Sequence, residues 1–442
     1  MSKSLSRRKL FQKSLKGAAA GGFLLAPQVA AGQAPAQVAN AQAGRKFKAM
    51  LRFGTGTMVE ELKLLPIQER EVVIRTEASA VCYTITGGAL ATTNARRASI
   101  PNHSGMGVVE AIGPGVRRVQ VGDRVIIPGT PQCGVCYMCL QGRADWCQFL
   151  GTSPAHPVAE MADGTPVFED AALGGLSEVM VVTEEYCCPV FTQVPGAELC
   201  LLGDTVGTGL AAAHNLAPIE PGTDVVVLGA GPVGMGAIQG ARMKTAARVI
   251  VVEPIKYRRD IAMKVGATMV LDPNVEGAGL VAKIQDMCKG PTDRRFAGGR
   301  SWNAADRMVA VPPGPDYTIE AVGGEYFPPK VEQSPDPTGV LPINQAFQFT
   351  RGGGHIIMLG FALRGTVSFP AWEFQNRGRT FHSGQQGGLQ MLRDLPRYVR
   401  LIEKGEIDTK AMVTATYPLE RAREAIQAVA DRTTLGAVIT FS

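Results

Sequence analysis

The sequence predicts an α/β protein of two domains, one β-rich and one built on a parallel sheet, and three observations carry that reading. The chain has 442 residues, enough for two ordinary cores. From Arg45 to about Gly203 it runs as short apolar stretches punctuated by Gly and Pro, such as Glu71 to Arg75 and Arg124 to Pro128, as short strands and turns do. From Val225 to Glu253 it reads as a β-branched apolar run, a glycine turn, a helical stretch and a second apolar run. At 45% hydrophobic and 19% charged residues, the composition is that of a globular chain, neither disordered nor membrane-spanning.

The first segment, Met1 to about Ala43, reads as a twin-arginine export signal. Ser6-Arg7-Arg8-Lys9-Leu10-Phe11 is followed by a mildly apolar Gly/Ala-rich run, Gly17 to Ala26, and by small-residue cleavage sites after Ala31 or Ala41. The apolar run is too short to span a bilayer. Lys3, Arg7, Arg8, Lys9, Lys13 and Lys16 carry the whole formal charge of +6, and residues 1 to 41 contain no acid. The rest of the chain is balanced, which argues against a nucleic-acid partner. A periplasmic destination is expected, reached in the folded state; the alternative is a basic tail without a role on a cytoplasmic protein.

In the β-rich region four cysteines stand as Cys133-x2-Cys136-x2-Cys139-x7-Cys147. Thiolates at this spacing can close a tetrahedron round one zinc. Two disulfides are the alternative in an exported protein, but bridges between cysteines two residues apart close small strained loops. Cys82 and His103 stand in the same region. Alone, such residues are ordinary core Cys and satisfied His.

The turn after Leu228 spells GxGxxG with Gly229, Gly231 and Gly234. The first glycine permits the turn, the second lets a pyrophosphate approach the backbone, and the third lets helix and strand pack closely. The helix start offers N–H groups to phosphate. The second strand, Arg248 to Val252, ends in Glu253, whose carboxylate can accept from ribose hydroxyls and repel a 2'-phosphate, favouring NAD over NADP. Pro232, Val233 and Arg258 complete the candidate nucleotide contacts.

Further strands are expected at Met269 to Leu271, Tyr317 to Ala321 and His355 to Leu359. Two irregular inserts, Lys289 to Pro315 and Gly324 to Asn344, interrupt this domain, and each either covers a ligand or decorates the surface. Helical spacing in Leu389 to Lys404 and a closing strand over Leu435 to Phe441 end the chain. His382 reads as structural or cofactor-side; His156, Cys187, Cys188, Cys200 and His214 read as core or loop residues.

Taken together these motifs resemble the zinc-containing, medium-chain alcohol dehydrogenases over nearly all of Arg45 to Ser442. The nearest group is the formaldehyde dehydrogenases and dismutases, which keep NAD tightly bound. The resemblance rests on Cys82 with Thr84, His103 ahead of Gly105-Met106-Gly107-Val108-Val109, the four-cysteine lobe, Leu202-Gly203-Asp204-x3-Thr208-Gly209, the GxGxxG and Arg379-Thr380-Phe381-His382-Ser383-Gly384-Gln385. It implies a GroES-like catalytic domain over residues 44–205 and 380–442, and a Rossmann domain over 206–379. It nominates Cys82, His103 and Asp204 as ligands of a catalytic zinc, with Thr84 passing the substrate proton. Asp204 could instead cap a helix or stand behind the metal. Two positions depart from the family pattern: Ser104 where Glu often follows the zinc-binding His, and Gly87 where a His usually continues the proton relay. In the formaldehyde-dehydrogenase group extra loops in the nucleotide domain cover the cofactor, and a dimer or tetramer is expected by resemblance.

The expected function is zinc-dependent oxidoreduction of a small alcohol or aldehyde, with two zincs and one NAD per chain. Free NAD is expected to be scarce outside the cytoplasm, so the nucleotide would stay bound and be recycled in place. An exchanging dehydrogenase and a non-catalytic zinc- and nucleotide-binding scaffold are the rivals.

Overall fold

The computed structural model describes residues 42–151, 156–169, 173–289, 313–361 and 365–441. The expected export signal and nearly all of the insert at 289–315 lie outside the described residues. Among those described, no helix is long and apolar enough to cross a membrane.

The nucleotide domain is a six-stranded parallel sheet. Its strands are β1 (Asp224–Leu228), β2 (Arg248–Val252), β3 (Met269–Leu271), β4 (Tyr317–Glu320), β5 (His355–Met358) and β6 (Thr380–His382). They lie in the order 3-2-1-4-5-6, every pair parallel, which is the doubly wound dinucleotide-binding order. All five residues of β1 are buried, as a central strand covered by helices on both faces must be. Because β6 belongs to this sheet, the chain leaves the nucleotide domain after His382, slightly later than the expected boundary at 380.

Helix α1 (Thr205–Ala211) precedes the sheet, α2 (Pro232–Met243) follows β1 and α3 (Lys256–Val265) follows β2. α2 opens with proline in its first turn, where the missing N–H costs nothing. Glycines set the distance between α1 and α2: a Cβ on Gly209 would overlap the carbonyl of Val233, and one on Gly236 that of Val206. Two backbones in contact leave little freedom for the helices to slide.

The second insert is shorter than expected. Helix α4 (Val340–Phe349) begins inside it, with Pro342 in the first turn, where a helix accepts proline. Residues 324–339 form an irregular strap.

The β-rich domain is organised round the strand Glu71–Ala80, which pairs antiparallel with Gly105–Ile112, Val179–Thr183 and Gly436–Thr440. The last pairing returns the C-terminus to this domain. A small closed barrel, in which Lys46–Gly54 pairs with Gly56–Leu64 and Ala95–Ile100, stands beside it. Helix α5 (Met391–Glu403) buries Leu395 and Val399 but leaves Leu392 at the surface, so only part of the expected apolar face turns inward.

Candidate active site and metal centres

Cys82, His103 and Asp204 come from three remote segments, and their ligand atoms lie within 4.8 Å of one another. Cys82 follows the central strand and opens a short turn, Tyr83–Ile85. His103 is held from both sides in sequence. Asn102, at φ +81°, donates to Ser79 Oγ at 2.7 Å and to the carbonyl of Ala80 at 2.9 Å, and Ser79 Oγ donates to the carbonyl of Ser104 at 2.8 Å. Asp204 precedes α1, yet its side chain does not cap that helix. It turns instead to His103, Oδ2 to Nε2 at 3.2 Å. The capping alternative therefore falls away.

Burial disfavours charge on all three groups, and their neighbours answer it. The Cys82 thiol is pushed up by burial and by the Asp204 charge. Against burial, the Asp204 charge raises the His103 imidazole well above its ordinary value, and His103 in turn holds Asp204 below the usual carboxylate range. A sulfur, an imidazole nitrogen and a carboxylate oxygen converging in a buried site fit one zinc with an open position. Thr84 Oγ1 lies 3.1 Å from Cys82 Sγ. Ser104 is fully buried, and its hydroxyl has no partner.

The sequence reading missed Gln386. Its Nε2 donates to Asp204 Oδ1 at 3.3 Å and to the carbonyl of Gly203 at 2.9 Å, while its Oε1 accepts from Thr130 N at 3.0 Å and Thr130 Oγ1 at 2.8 Å. It does so from a left-handed backbone, φ +44°, which a non-glycine residue keeps only when its surroundings enforce it. That signal is geometric and invisible in the sequence.

The second cluster is the loop Cys133, Cys136, Cys139 and Cys147. Cys133 Sγ and Cys139 Sγ are 3.9 Å apart, and Cys136 Sγ and Cys147 Sγ 4.0 Å. A zinc with four sulfurs at ~2.3 Å has tetrahedral edges of about 3.8 Å, whereas a disulfide needs about 2.05 Å. The described cysteines are all free thiols, so the spacing speaks for metal. Against burial, backbone N–H groups of Gln148 and Cys139 hold the Cys136 thiol below its ordinary value.

One cleft, of about 190 Å³, runs from Cys82 to the glycine turn; Cys82, Thr84, Gly229, Gly231, Pro232, Val233, Glu253 and Arg258 all line it. The glycines divide their work as a dinucleotide site requires. Gly229 turns at φ +85°. A Cβ on Gly231 would have only Arg258 Nη1 near, at 3.8 Å, so that position opens to the cleft. A Cβ on Gly234 would overlap the carbonyl of Gly229. Thr205, buried and lining the same cleft, has a hydroxyl without a partner, as expected of a group kept for a ligand. Glu253 is buried and accepts from Ala230 N at 2.7 Å and Ile255 N at 2.9 Å, which fixes the turn and leaves lone pairs for a ribose.

The remaining nominated residues have structural surroundings. His382 Nε2 meets His355 Nδ1 at 2.9 Å, His156 meets Glu71 at 2.7 Å, and Cys187, Cys188 and Cys200 are buried in the cores.

Comparison with known proteins agrees with this geometry. Residues 68–192 match the alcohol dehydrogenase GroES-like domain and residues 232–404 the zinc-binding dehydrogenase family. S-(hydroxymethyl)glutathione dehydrogenase of Escherichia coli is 27% identical over 410 residues, covering 90% of this chain and 100% of the relative. The Haemophilus influenzae protein of that name is 28% identical over 383 residues, 84% of this chain and 90% of its own. Among solved structures, benzyl alcohol dehydrogenase from Acinetobacter calcoaceticus superposes with a TM-score of 0.73 at 22% identity, over 90% of this chain and 100% of that one. A zinc-binding dehydrogenase from Sinorhizobium meliloti, bound to NADP, gives 0.63 at 19%, over 90% and 100%. At these identities the structures speak for the fold, whereas the two family matches fall on the domains that carry the metal centres and the glycine turn. The chain belongs to the zinc-type medium-chain alcohol dehydrogenases.

Proposed function

We propose that this enzyme interconverts a small alcohol and its aldehyde with NAD rather than NADP, keeps the nucleotide in place between turnovers, and works in the periplasm. The observation that carries the reading is a cleft lined by Cys82, whose sulfur gathers with His103 and Asp204, and by the glycine turn and Glu253. When bound, zinc on the three donors supplies Lewis acidity at the substrate oxygen, and NAD supplies the hydride acceptor.

The chain's own residues do the rest. Thr84 Oγ1, beside Cys82 and lining the cleft, is placed to accept the proton of a substrate hydroxyl while handing its own on toward solvent. Glu253, at the end of β2 and lining the cleft, offers a carboxylate that would accept from ribose hydroxyls and disfavour a 2'-phosphate, which selects NAD. The name of the curated relatives points to a hydroxymethyl group as the reacting carbinol.

Retention of the nucleotide is supported by the strap. It leaves the nucleotide sheet at Gly324 and is tied to the catalytic domain by Glu325 with Arg432 at 2.9 Å and by Lys330 with Asp431 at 2.8 Å. Both the Glu325 and the Arg432 side chains are about nine-tenths buried, so this pair is screened little by solvent. Export is supported by the ordered basic, apolar and small-residue regions of Met1 to Ala43.

The test is to denature the purified mature protein with no cofactor added and to quantify NAD and zinc per chain. About one NAD and two zincs per chain are expected. Two zincs without NAD would overturn retention and leave an exchanging dehydrogenase; a preference for NADP in turnover would overturn the role given to Glu253. Replacing Arg7 and Arg8 by lysine should strand the protein in the cytoplasm, and unchanged export would remove the twin-arginine assignment.

A further inference from the structure

The departure at Gly87 has a structural counterpart. A Cβ on Gly87 would lie 2.5 Å from Cδ1 and 2.8 Å from Cε1 of Tyr326, so the ring of Tyr326 occupies the space a side chain at 87 would fill. Tyr326 belongs to the strap from the nucleotide domain, yet it lines the cleft together with Cys82 and Thr84. Its position is enforced. Its backbone N–H donates to Tyr83 Oη at 2.9 Å and its ring lies against that of Tyr83, centroids 5.7 Å apart. The Arg432 guanidinium lies over the Tyr83 ring at 5.4 Å and pairs with Glu325, the residue before Tyr326, which also accepts from Ser334 Oγ at 2.7 Å.

From this arrangement we infer that Tyr326 is a specificity-determining residue: its ring walls the substrate end of the cleft beside Cys82 and Thr84 and restricts the enzyme to small carbinols, Gly87 being the vacancy that admits it. An aromatic ring seated in a pocket excludes substrates by volume, and a mismatch of a few methylenes changes kcat/KM by one to two orders of magnitude. The inference rests on the alcohol dehydrogenase reading and adds which part of this chain sets substrate size.

The test compares kcat/KM for ethanol and benzyl alcohol in the full-length protein with NAD and an artificial hydride acceptor that reoxidises NADH in place. Tyr326→Ala should raise the benzyl-to-ethyl ratio roughly tenfold or more, mainly through KM for benzyl alcohol. Tyr326→Phe, which keeps the ring, should hold the wild-type ratio. NADH affinity, read by fluorescence, should be retained in both variants, which separates a substrate wall from a mere anchor of the strap. If Tyr326→Ala does not fold, Tyr326→Leu is the second variant and should move the ratio in the same direction. An unchanged ratio in a variant that still turns over would overturn the inference. Turnover of neither alcohol nor of any small aldehyde by the wild type would overturn the dehydrogenase reading itself, and this inference with it.

Discussion

Gln386 shows how the first metal centre is held together. Asp204 shares its two carboxylate oxygens between His103 and Gln386, and Gln386 is itself fixed by Thr130. Groups behind a metal ligand orient it, and their loss commonly costs 10–100-fold in metal affinity. Gln386→Ala should therefore weaken zinc binding at Cys82, His103 and Asp204 by roughly that factor, measured by chelator competition, while the four-cysteine loop keeps its metal. Equal loss from both centres would mean that the substitution acts by unfolding. Cys82, His103 and Asp204 could be nominated from the sequence because each sits inside a recognisable motif, and the fold brings their ligand atoms within 4.8 Å of one another. Gln386 could not be, because it stands 182 residues from Asp204 and meets it only after both domains have formed. The same holds for Tyr326: Gly87 was visible as a departure, but nothing in the sequence says which distant side chain fills the space.

At the scale of the elements, the four-cysteine loop cannot be held by an apolar core. Val135, Tyr137 and Leu140 are 75%, 74% and 70% exposed, so its larger apolar side chains face water. A segment that buries so little is ordered by metal, whose binding free energy then becomes folding free energy. Cys139→Ser should lower zinc from two to one per chain and open residues 133–150 to limited proteolysis, with the nucleotide domain remaining resistant. Retention of both zincs would refute the tetrahedral assignment. Strands were the most legible elements: β1 and β2 are short apolar runs because both their faces are covered, and the glycine turn between β1 and α2 needs its residue types for backbone reasons. The end of the second insert was misread because proline signals irregularity in sequence, yet Pro342 sits where a helix start tolerates it. The boundary at 380 was placed early because β6 has only three residues, too few for a periodic pattern.

On the scale of the whole molecule, the two domains share a core through α1 and α2, and a histidine behind that contact is expected to contribute to the response to acid. His214 lies just after α1, with its Nδ1 3.2 Å from Tyr398 Oη on α5. Burial, reinforced by Lys244, depresses its imidazole to about 4. The unfolded chain has a histidine near the usual ~6.5. A depressed folded value means that the stability is fully present above the unfolded pKa; as pH falls from about 6.5 to about 4 the unfolded state takes up a proton that the folded state refuses, and stability is lost until the folded group also titrates. The gap between the two values corresponds to about 3 kcal/mol. His355 and His382 are shifted in the same direction, first by burial, so the wild type has more than one such group. His214→Phe removes one of them. It leaves Tyr398 Oη without its nitrogen partner, which should cost on the order of 1 kcal/mol at every pH. Denaturant unfolding at about pH 7 and about pH 4.5 separates the two effects: the variant should be the less stable at neutral pH and should lose less on acidification, so that the difference between the proteins shrinks or reverses. Parallel losses in both proteins would show that His214 is not held neutral by its burial and that acid sensitivity arises elsewhere.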